Sequence, residues 1–421
     1  MKVSRIEQIA IKDKRLDNLC HLTKNLYNYA NYIIRQEFIK TSKEKEQKLR
    51  EHAIWLRYQD IYKIVKDSND YRYLPSQTAQ QTLKLLDKNW KSFFKTCKEY
   101  KKNPNKFKGR PKLPKYKSKN GKTIAIFTNQ QCKIKDGYIQ FPKFMQGFKI
   151  QTTVDNFKQI RIIPQATNYV IEIIYEKEII KEEVDENRIA GIDIGLRNIV
   201  TMVNNTGLRP VVIKGCVLKS INQFYNKRMA ELQQIYDKQN IKTGRKKQLL
   251  IEKRNRKIKD GLHKISRFII DYAIKNKIGK IVIGYNPNWK QKINIGKQNN
   301  QSFMQIPFNT LVNQIVYKGE EVGIQVDKEE EGYTSKCSFL DNETIGHQEK
   351  YLGKRINRGL FRTANGLIIN CDVNAALNII RKSNPEKISV DLFGQDRGIG
   401  LVPIRINYLY KQNLLNCVNE I

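Results

Sequence analysis

Three features of the sequence predict a multi-domain α+β protein, in which a small β-barrel is interrupted by a helical bundle and followed by a mixed α/β domain. Helical periodicity fills residues 14–102, short strand-like runs crowd 123–180, and strands alternate with helices beyond 186. The opening "VSRIEQIAI" (3–11) alternates loosely and reads as a strand. Leu16, Leu19, Thr23, Leu26, Ala30 and Ile33 then step by three and four, as do Ile54, Tyr58, Ile61 and Val65. "LPSQTAQQTLKLLDKNWKSFF" begins with a Pro-Ser start signal and sets Ala79, Leu83, Leu86, Trp90 and Phe93 on one face. Each stripe reads as core packing.

Residues 101–122, "KKNPNKFKGRPKLPKYKSKNGK", hold ten Lys/Arg and no acid. Self-repulsion and proline predict an extended segment, with Phe107 and Tyr116 offered for stacking on a nucleic-acid strand. A solvated linker is the plain alternative. The runs "TIAIF", "YIQF", "FKIQTT", "QIRIIP" and "YVIEIIYEK" are short strands at barrel-like spacing, which the first strand is expected to join. After 186, "IAGIDIGLRNIVTMVNNTGLRPVVIKG" reads as strands joined by a turn. Two basic helices (about 219–238 and 241–276), a strand "KIVIG" (280–284), a helix (306–321), a strand "GIQVDKE" (323–329) and a helix "DVNAALNIIRK" (372–382) follow. That order matches an RNase H type of fold; residues 333–368 look irregular, and the tail beyond 383 carries no pattern.

Charge narrows the function. With 78 Lys+Arg against 41 Asp+Glu, the net charge is +37, which asks for a polyanionic partner. The basic residues run along the whole chain rather than along one amphipathic helix, which points to nucleic acid over a membrane surface. Seven scattered cysteines without a CxxC pair suit a reducing cytoplasm. The start has no apolar signal region and no stretch reaches the length of a membrane span, so a soluble cytoplasmic protein is expected, with no membrane partner.

Hydrolysis of phosphodiesters is well served by two divalent cations roughly 4 Å apart, held by carboxylates from separate elements. Asp193 interrupts a buried run, with Gly195 two residues on to admit a phosphate. Asp372 opens a helix, where it could instead serve as an N-cap. In a basic chain with this strand–helix order, the two together favour a metal site.

"GIDIGLRNIV", "LHKISRFII", "DVNAALNII" and "FKGRPKLPKYKS" together resemble the TnpB family of transposon-encoded, RNA-guided DNA nucleases, relatives of type V CRISPR effectors. The resemblance runs over nearly the whole chain. It implies a wedge-type β-barrel (1–13 and 103–185), an inserted recognition bundle (14–102), and a RuvC-like nuclease domain (186–332 and 369–421). It also implies a guide RNA from the protein's own element, double-stranded target DNA beside a short flanking motif, two Mg²⁺ ions and one protein monomer per guide RNA. Asp193 and Asp372 match the first and third RuvC carboxylates.

The sequence departs from the family twice. The second carboxylate should end the strand "KIVIG", but Gly284 stands there. Glu330 or Glu331, at the end of the next strand, is expected to replace it, with Glu330 favoured; a solvated acidic turn is the alternative. Where relatives carry two CxxC pairs, residues 333–368 offer Cys337 and His347, with Cys371 just beyond, so no structural zinc is expected. Expected nucleic-acid contacts are Lys108, Arg110, Lys112, Lys115, Arg197, His263, Lys264, Arg355 and Arg358, with His263 packed or on phosphate rather than a base. The resulting expectation is Mg-dependent, RNA-guided DNA cleavage, with "SQTAQQTLKLL" helping to read the flanking motif. A nuclease-dead RNA-guided repressor and a guide-independent resolvase are the rivals.

Overall fold

The computed structural model describes residues 2–286, 296–393 and 401–407. The chain divides into two compact units, Lys2–Lys177 and Glu178 onward, so the division falls eight residues before the expected start of the third domain.

The first unit contains β1 (Lys2–Ile11), α1 (Lys14–Glu46), α2 (Tyr58–Val65), α3 (Asn69–Arg72), α4 (Ser76–Lys102), β2 (Ala125–Thr128), β3 (Lys133–Lys135), β4 (Tyr138–Gln140), β5 (Lys149–Gln151), β6 (Gln159–Pro164) and β7 (Tyr169–Glu178). Asp13 starts α1 by accepting the Arg15 N–H. The periodic face of α1 is buried at Leu16, Leu19, Leu26 and Ala30, while Ile34 rather than Ile33 ends the stripe. Ile54 lies before α2, its N–H held by Thr41 Oγ1. Trp90 on α4 is fully buried and donates its indole N–H to Asn31 Oδ1 at 3.0 Å. The strands form two sheets rather than one closed barrel: β1-β7-β6-β2, and a separate meander β3-β4-β5. One hydrophobic core spans both sheets and the helices, from Phe127 and Ile160 to Ile139 and Ile150. Three-residue strands cannot circle a core, and side-chain packing closes it instead.

The basic segment is extended, as its prolines require, yet it is docked rather than loose. Asn31 Nδ2 and Arg35 donate to the Pro114 carbonyl at 3.0 and 3.1 Å, and Asn28 exchanges two hydrogen bonds with the backbone of Lys117. Helix α1 thus takes up the strand's backbone groups.

The second unit contains β8 (Asp185–Asp193), β9 (Asn198–Asn204), β10 (Val211–Lys214), α5 (Cys216–Lys238), α6 (Arg245–Lys275), β11 (Ile278–Tyr285), α7 (Lys297–Met304), α8 (Phe308–Val322), β12 (Gln325–Glu330), β13 (Lys354–Asn357), β14 (Leu360–Arg362), β15 (Ile368–Asn370), α9 (Cys371–Ser383) and β16 (Ile404–Ile406). The main sheet runs β12-β11-β8-β9-β10-β16. Strands β8, β9 and β10 are antiparallel neighbours, whereas β11 runs parallel to β8 and β12 parallel to β11. The central strands are buried on both faces, hence their near-continuous apolar runs. Ala190, Ile192, Ile281 and Ile283 face one core with α6 and α8; Ile189, Val203 and Val282 face another with α9.

Residues 333–368 are more ordered than their sequence suggests. β13-β14-β15 form a small antiparallel sheet, and the turns before it hang on one polar stripe of α9. Asn374 accepts the Phe339 N–H and donates to the Cys337 carbonyl; Asn378 donates to the carbonyls of Thr334 and Cys337. Arg381 reaches the Glu343 carbonyl at 2.6 Å and lies over the Phe339 ring. Among the described residues no helix is long and apolar enough to cross a membrane. The expected nuclease segment 369–421 lies partly outside the described residues.

Candidate active site

The site grows from strand parity. Ile189, Gly191 and Asp193 alternate with Ala190 and Ile192, so Asp193 projects from the face that α9 covers. Gly191 lets that helix settle on the sheet, since a Cβ there would meet the Ala376 carbonyl and the Ile380 side chain at 2.5 Å. This approach carries Asp372, in the first turn of α9, towards Asp193. Asp372 is not the helix cap. Asn370 holds that role, accepting the N–H groups of Asp372 and Val373. The Asp372 carboxylate is held from the side instead, its Oδ2 accepting from Asn198 Nδ2 at 2.7 Å.

The third acid comes from beyond β12. The last paired row of β11 and β8 is Ile283 with Ile192, which leaves Gly284 beside Asp193. Across β12, Gly284 pairs with Glu329 and Tyr285 with Glu330. Paired residues share a face, so Glu329 and Glu331 lie on the α9 side and Glu330 on the other. Lys382 of α9 reaches Glu329 Oε1 at 3.7 Å, whereas Glu330 is exposed and offers only its backbone carbonyl to Lys382. Glu331 folds back over the sheet: a Cβ on Gly284 would stand 2.9 Å from both its Cγ and its Oε1. Of the two acids expected as alternatives, Glu330 thus turns away from the face that carries Asp193, and Glu331 is the one whose side chain reaches the space that Gly284 leaves open.

The electrostatics follow. The Asp193 carboxyl is held well above the ordinary carboxylate range, chiefly by burial, then by the negative charges of Asp372 and Glu331; Arg355 pulls it back. Asp193 retains some solvent-accessible surface, but the protein around the carboxyl is deep enough to oppose its ionisation. Thr201, cross-strand partner of Asp193, is fully buried, and its hydroxyl finds no hydrogen-bond partner among the described residues. Three carboxylates and an orphaned hydroxyl form an oxygen-rich donor set of the kind Mg²⁺ takes. Among the described residues no three acidic, His or Cys side chains stand in a closed metal-ligating group. Asn198 draws Asp372 to one side.

The other predicted residues are dispersed. Arg355 borders the acids and Arg197 and Arg358 line a neighbouring cavity. His263 and Lys264 lie on α6, which covers the opposite face of the sheet. His263 is half-buried, with its basicity lowered by burial and by Lys318 and Lys259; Lys264 is paired with Asp260 at 2.6 Å. Lys108, Arg110, Lys112 and Lys115 are exposed along the docked basic strand of the first unit. Of the two aromatics expected there to stack, Phe107 packs edge-on against Tyr100, and Tyr116 sits under Arg35. Cys337 is buried and directs its thiol to the Thr344 and Gly346 carbonyls, and His347 packs against Tyr333. Sequence reasoning missed Asn198 and Thr201; both are polar residues beginning or inside an apolar strand, a signal of the same kind that exposed Asp193.

This geometry defines a multi-domain mixed α/β protein with acids gathered where a sheet meets one helix. A family model described as a probable transposase (OrfB_IS605) matches residues 172–290, which include Asp193 and Gly284. A second, the Cas12f1-like TNB domain, matches residues 308–379, which include Glu331 and Asp372. The TnpB-like protein ORF457 of Acidianus two-tailed virus is 26% identical over 90% of this chain and 86% of its own length. The CRISPR-associated endodeoxyribonuclease Cas12f1 of Sulfoacidibacillus thermotolerans is 31% identical over 51% of this chain, and the match spans 50% of that protein. A solved Cas12f1–sgRNA–target DNA complex aligns over 88% of this chain and 83% of its own, at 18% identity and a TM-score of 0.49. These matches support kinship with the TnpB family, relatives of the type V effectors.

Proposed function

We propose that the chain is an RNA-guided DNA endonuclease of a transposable element that hydrolyses phosphodiesters beside a short flanking motif. The observation that carries this reading is the gathering of Asp193, Asp372 and Glu331 on one face of the sheet, with Glu331 in the space of the missing side chain at 284. The likeness to a probable transposase family, a TnpB-like protein and Cas12f1 endodeoxyribonucleases supports a nuclease of transposon origin. Two Mg²⁺ ions held by these three acids would supply the positive charge that activates water and stabilises the departing oxygen. Asn198 fixes the orientation of Asp372, and Arg355 brings a permanent positive charge against Asp193, where a phosphate must also approach. The exposed cations Lys108, Arg110, Lys112 and Lys115 offer backbone contacts, while guide pairing supplies sequence choice. The guide RNA from the element, the double-stranded target, the flanking motif and action as one monomer per guide belong to the same proposal. The RuvC-like character of the second unit belongs to it too.

The test is guided plasmid cleavage. Wild type should cut in Mg²⁺ and stop in EDTA, and Asp193→Ala should bind guided target without cutting. A wild-type complex that binds its guided target but never cuts it in Mg²⁺ removes the nuclease reading and leaves a guided binder.

A further inference from the structure

Strand β9 reads "NIVTMVN", three polar residues set in an otherwise apolar and largely buried run. Two of the three are employed. Asn198 donates to Asp372 Oδ2, and Asn204 shapes the turn that follows, accepting the Thr206 and Leu208 N–H groups and donating to the Leu208 carbonyl. The third, Thr201, is fully buried, and its hydroxyl finds no partner among the described residues. On a helix a buried threonine can bond back to the carbonyl one turn earlier, as Thr23 and Thr82 do. In a sheet the carbonyls point to the neighbouring strands instead. Valine has nearly the same shape and suits a strand equally well, so packing does not account for the hydroxyl.

Its position offers an account. Thr201 is the direct cross-strand partner of Asp193 and shares the α9 face with Val203. Side chains paired in this way stand about 5 Å apart at Cβ, so a rotamer change brings a hydroxyl within reach of a carboxylate. Asp193 is the complementary case. Among the described residues its carboxylate accepts no hydrogen bond, and Arg355, Asp372 and Glu331 act on it through charge alone. The acid without a donor faces the buried donor without an acceptor.

We propose that Thr201 is a positioning residue, whose hydroxyl donates to the Asp193 carboxylate when that group serves as a metal ligand and so fixes which way the carboxylate faces. This inference rests on the reading that the three acids hold divalent cations. A carboxylate turns about its last bond unless something holds it, and Asn198, on the same strand, already holds Asp372. In the metal-free chain the Thr201 hydroxyl is a burden, since it has left water without gaining a partner. Stability and metal binding therefore make opposite demands on this side chain.

The test reads the two separately in the full chain freed of nucleic acid. The probe is Mn²⁺, which takes the same oxygen ligands as Mg²⁺ and whose free form is counted by electron paramagnetic resonance. Thr201→Val removes the unpartnered hydroxyl with little change of shape. It should melt above wild type in EDTA, yet bind Mn²⁺ roughly tenfold more weakly or worse. Thr201→Ser keeps the hydroxyl and loses a methyl group, so it should melt below wild type but bind Mn²⁺ as wild type does. A side chain that only fills space would make Mn²⁺ affinity follow melting temperature in both variants, and that result overturns the proposal. Wild-type Mn²⁺ affinity in Thr201→Val overturns it, as does a lower melting temperature of that variant in EDTA. Absence of a saturable Mn²⁺ site in the wild type overturns it as well. A protein that cuts guided plasmid while Thr201→Val binds Mn²⁺ normally loses only the role of Thr201. One that shows the expected Mn²⁺ pattern but never cuts loses only the nuclease reading.

Discussion

Glu330 and Glu331 are chemically identical neighbours, and strand parity alone separates them. Glu331→Gln should lower guided cleavage by roughly 100-fold or more, equal to about 2.7 kcal/mol of barrier. Glu330→Gln should stay near wild type, and equal losses in both would show that parity does not decide the site. Asp193 yields a second residue-scale prediction, concerning stability. Its folded carboxyl ionises well above the ordinary value of 3.8, so between those two points the native state holds a proton that the unfolded chain has released. Metal-free stability must therefore fall as pH rises through that window, and each unit of elevation is worth about 1.4 kcal/mol. Asp193→Asn should raise the melting temperature in EDTA at neutral pH, while abolishing cleavage in Mg²⁺. A melting temperature that drops instead would mean that Asp193 is well compensated where it stands.

At the scale of elements, the approach of α9 to β8 decides whether the acids meet. Gly191→Ala forces a methyl group against the Ala376 carbonyl and Ile380, at a cost of about 1–3 kcal/mol. Its cleavage defect should exceed what the stability loss explains at a temperature where the variant is fully folded. Normal cleavage by folded Gly191→Ala would show that the contact does not set the site. Across the sheet, the α6–α8 contact contains a buried lysine. Lys318 Nζ donates to Ser266 Oγ at 2.7 Å and the His263 carbonyl at 2.8 Å, and burial lowers its pKa from 10.5 to about 8. Between these values the unfolded state binds the extra proton, so stability should rise with pH from about 8 to 10.5, by at most about 1.4 kcal/mol per unit. Denaturant titrations of wild type and Lys318→Met isolate this contribution: the added slope should vanish in the variant, and identical slopes would refute it.

The molecule as a whole carries +37, and the docked basic strand is one place where that charge is displayed. Replacing Lys108, Arg110, Lys112 and Lys115 together with alanine should weaken nucleic-acid binding almost independently of sequence. The plot of log affinity against log salt should become shallower by up to about four units on duplex DNA. An unchanged slope would place these cations away from the phosphates. Helix α1 holds the strand through its backbone carbonyls, so the side chains remain exposed and their loss should leave the fold intact.

How much of this could be read beforehand follows from how local each signal is. Helix α4 was legible because one apolar face runs from Ala79 to Phe93 within its 27 residues. Asp193 and Asp372 were legible as acids set at the ends of apolar patterns. The closed barrel was not: strands of three residues carry too little periodicity to say whether a sheet curls shut or is sealed by packing. The turns from 333 looked irregular because α9 orders them through Asn374, Asn378 and Arg381, more than thirty residues away in sequence.

The sequence by itself determined the α+β organisation and the excess of positive charge, because composition and periodicity are properties of single segments. Only the tertiary structure decided that Glu331 rather than Glu330 reaches the space beside Gly284, that Asn198 restrains Asp372, and that a basic cavity adjoins them. Those depend on register and on how closely a helix can approach a strand, which side chains settle only when distant segments meet.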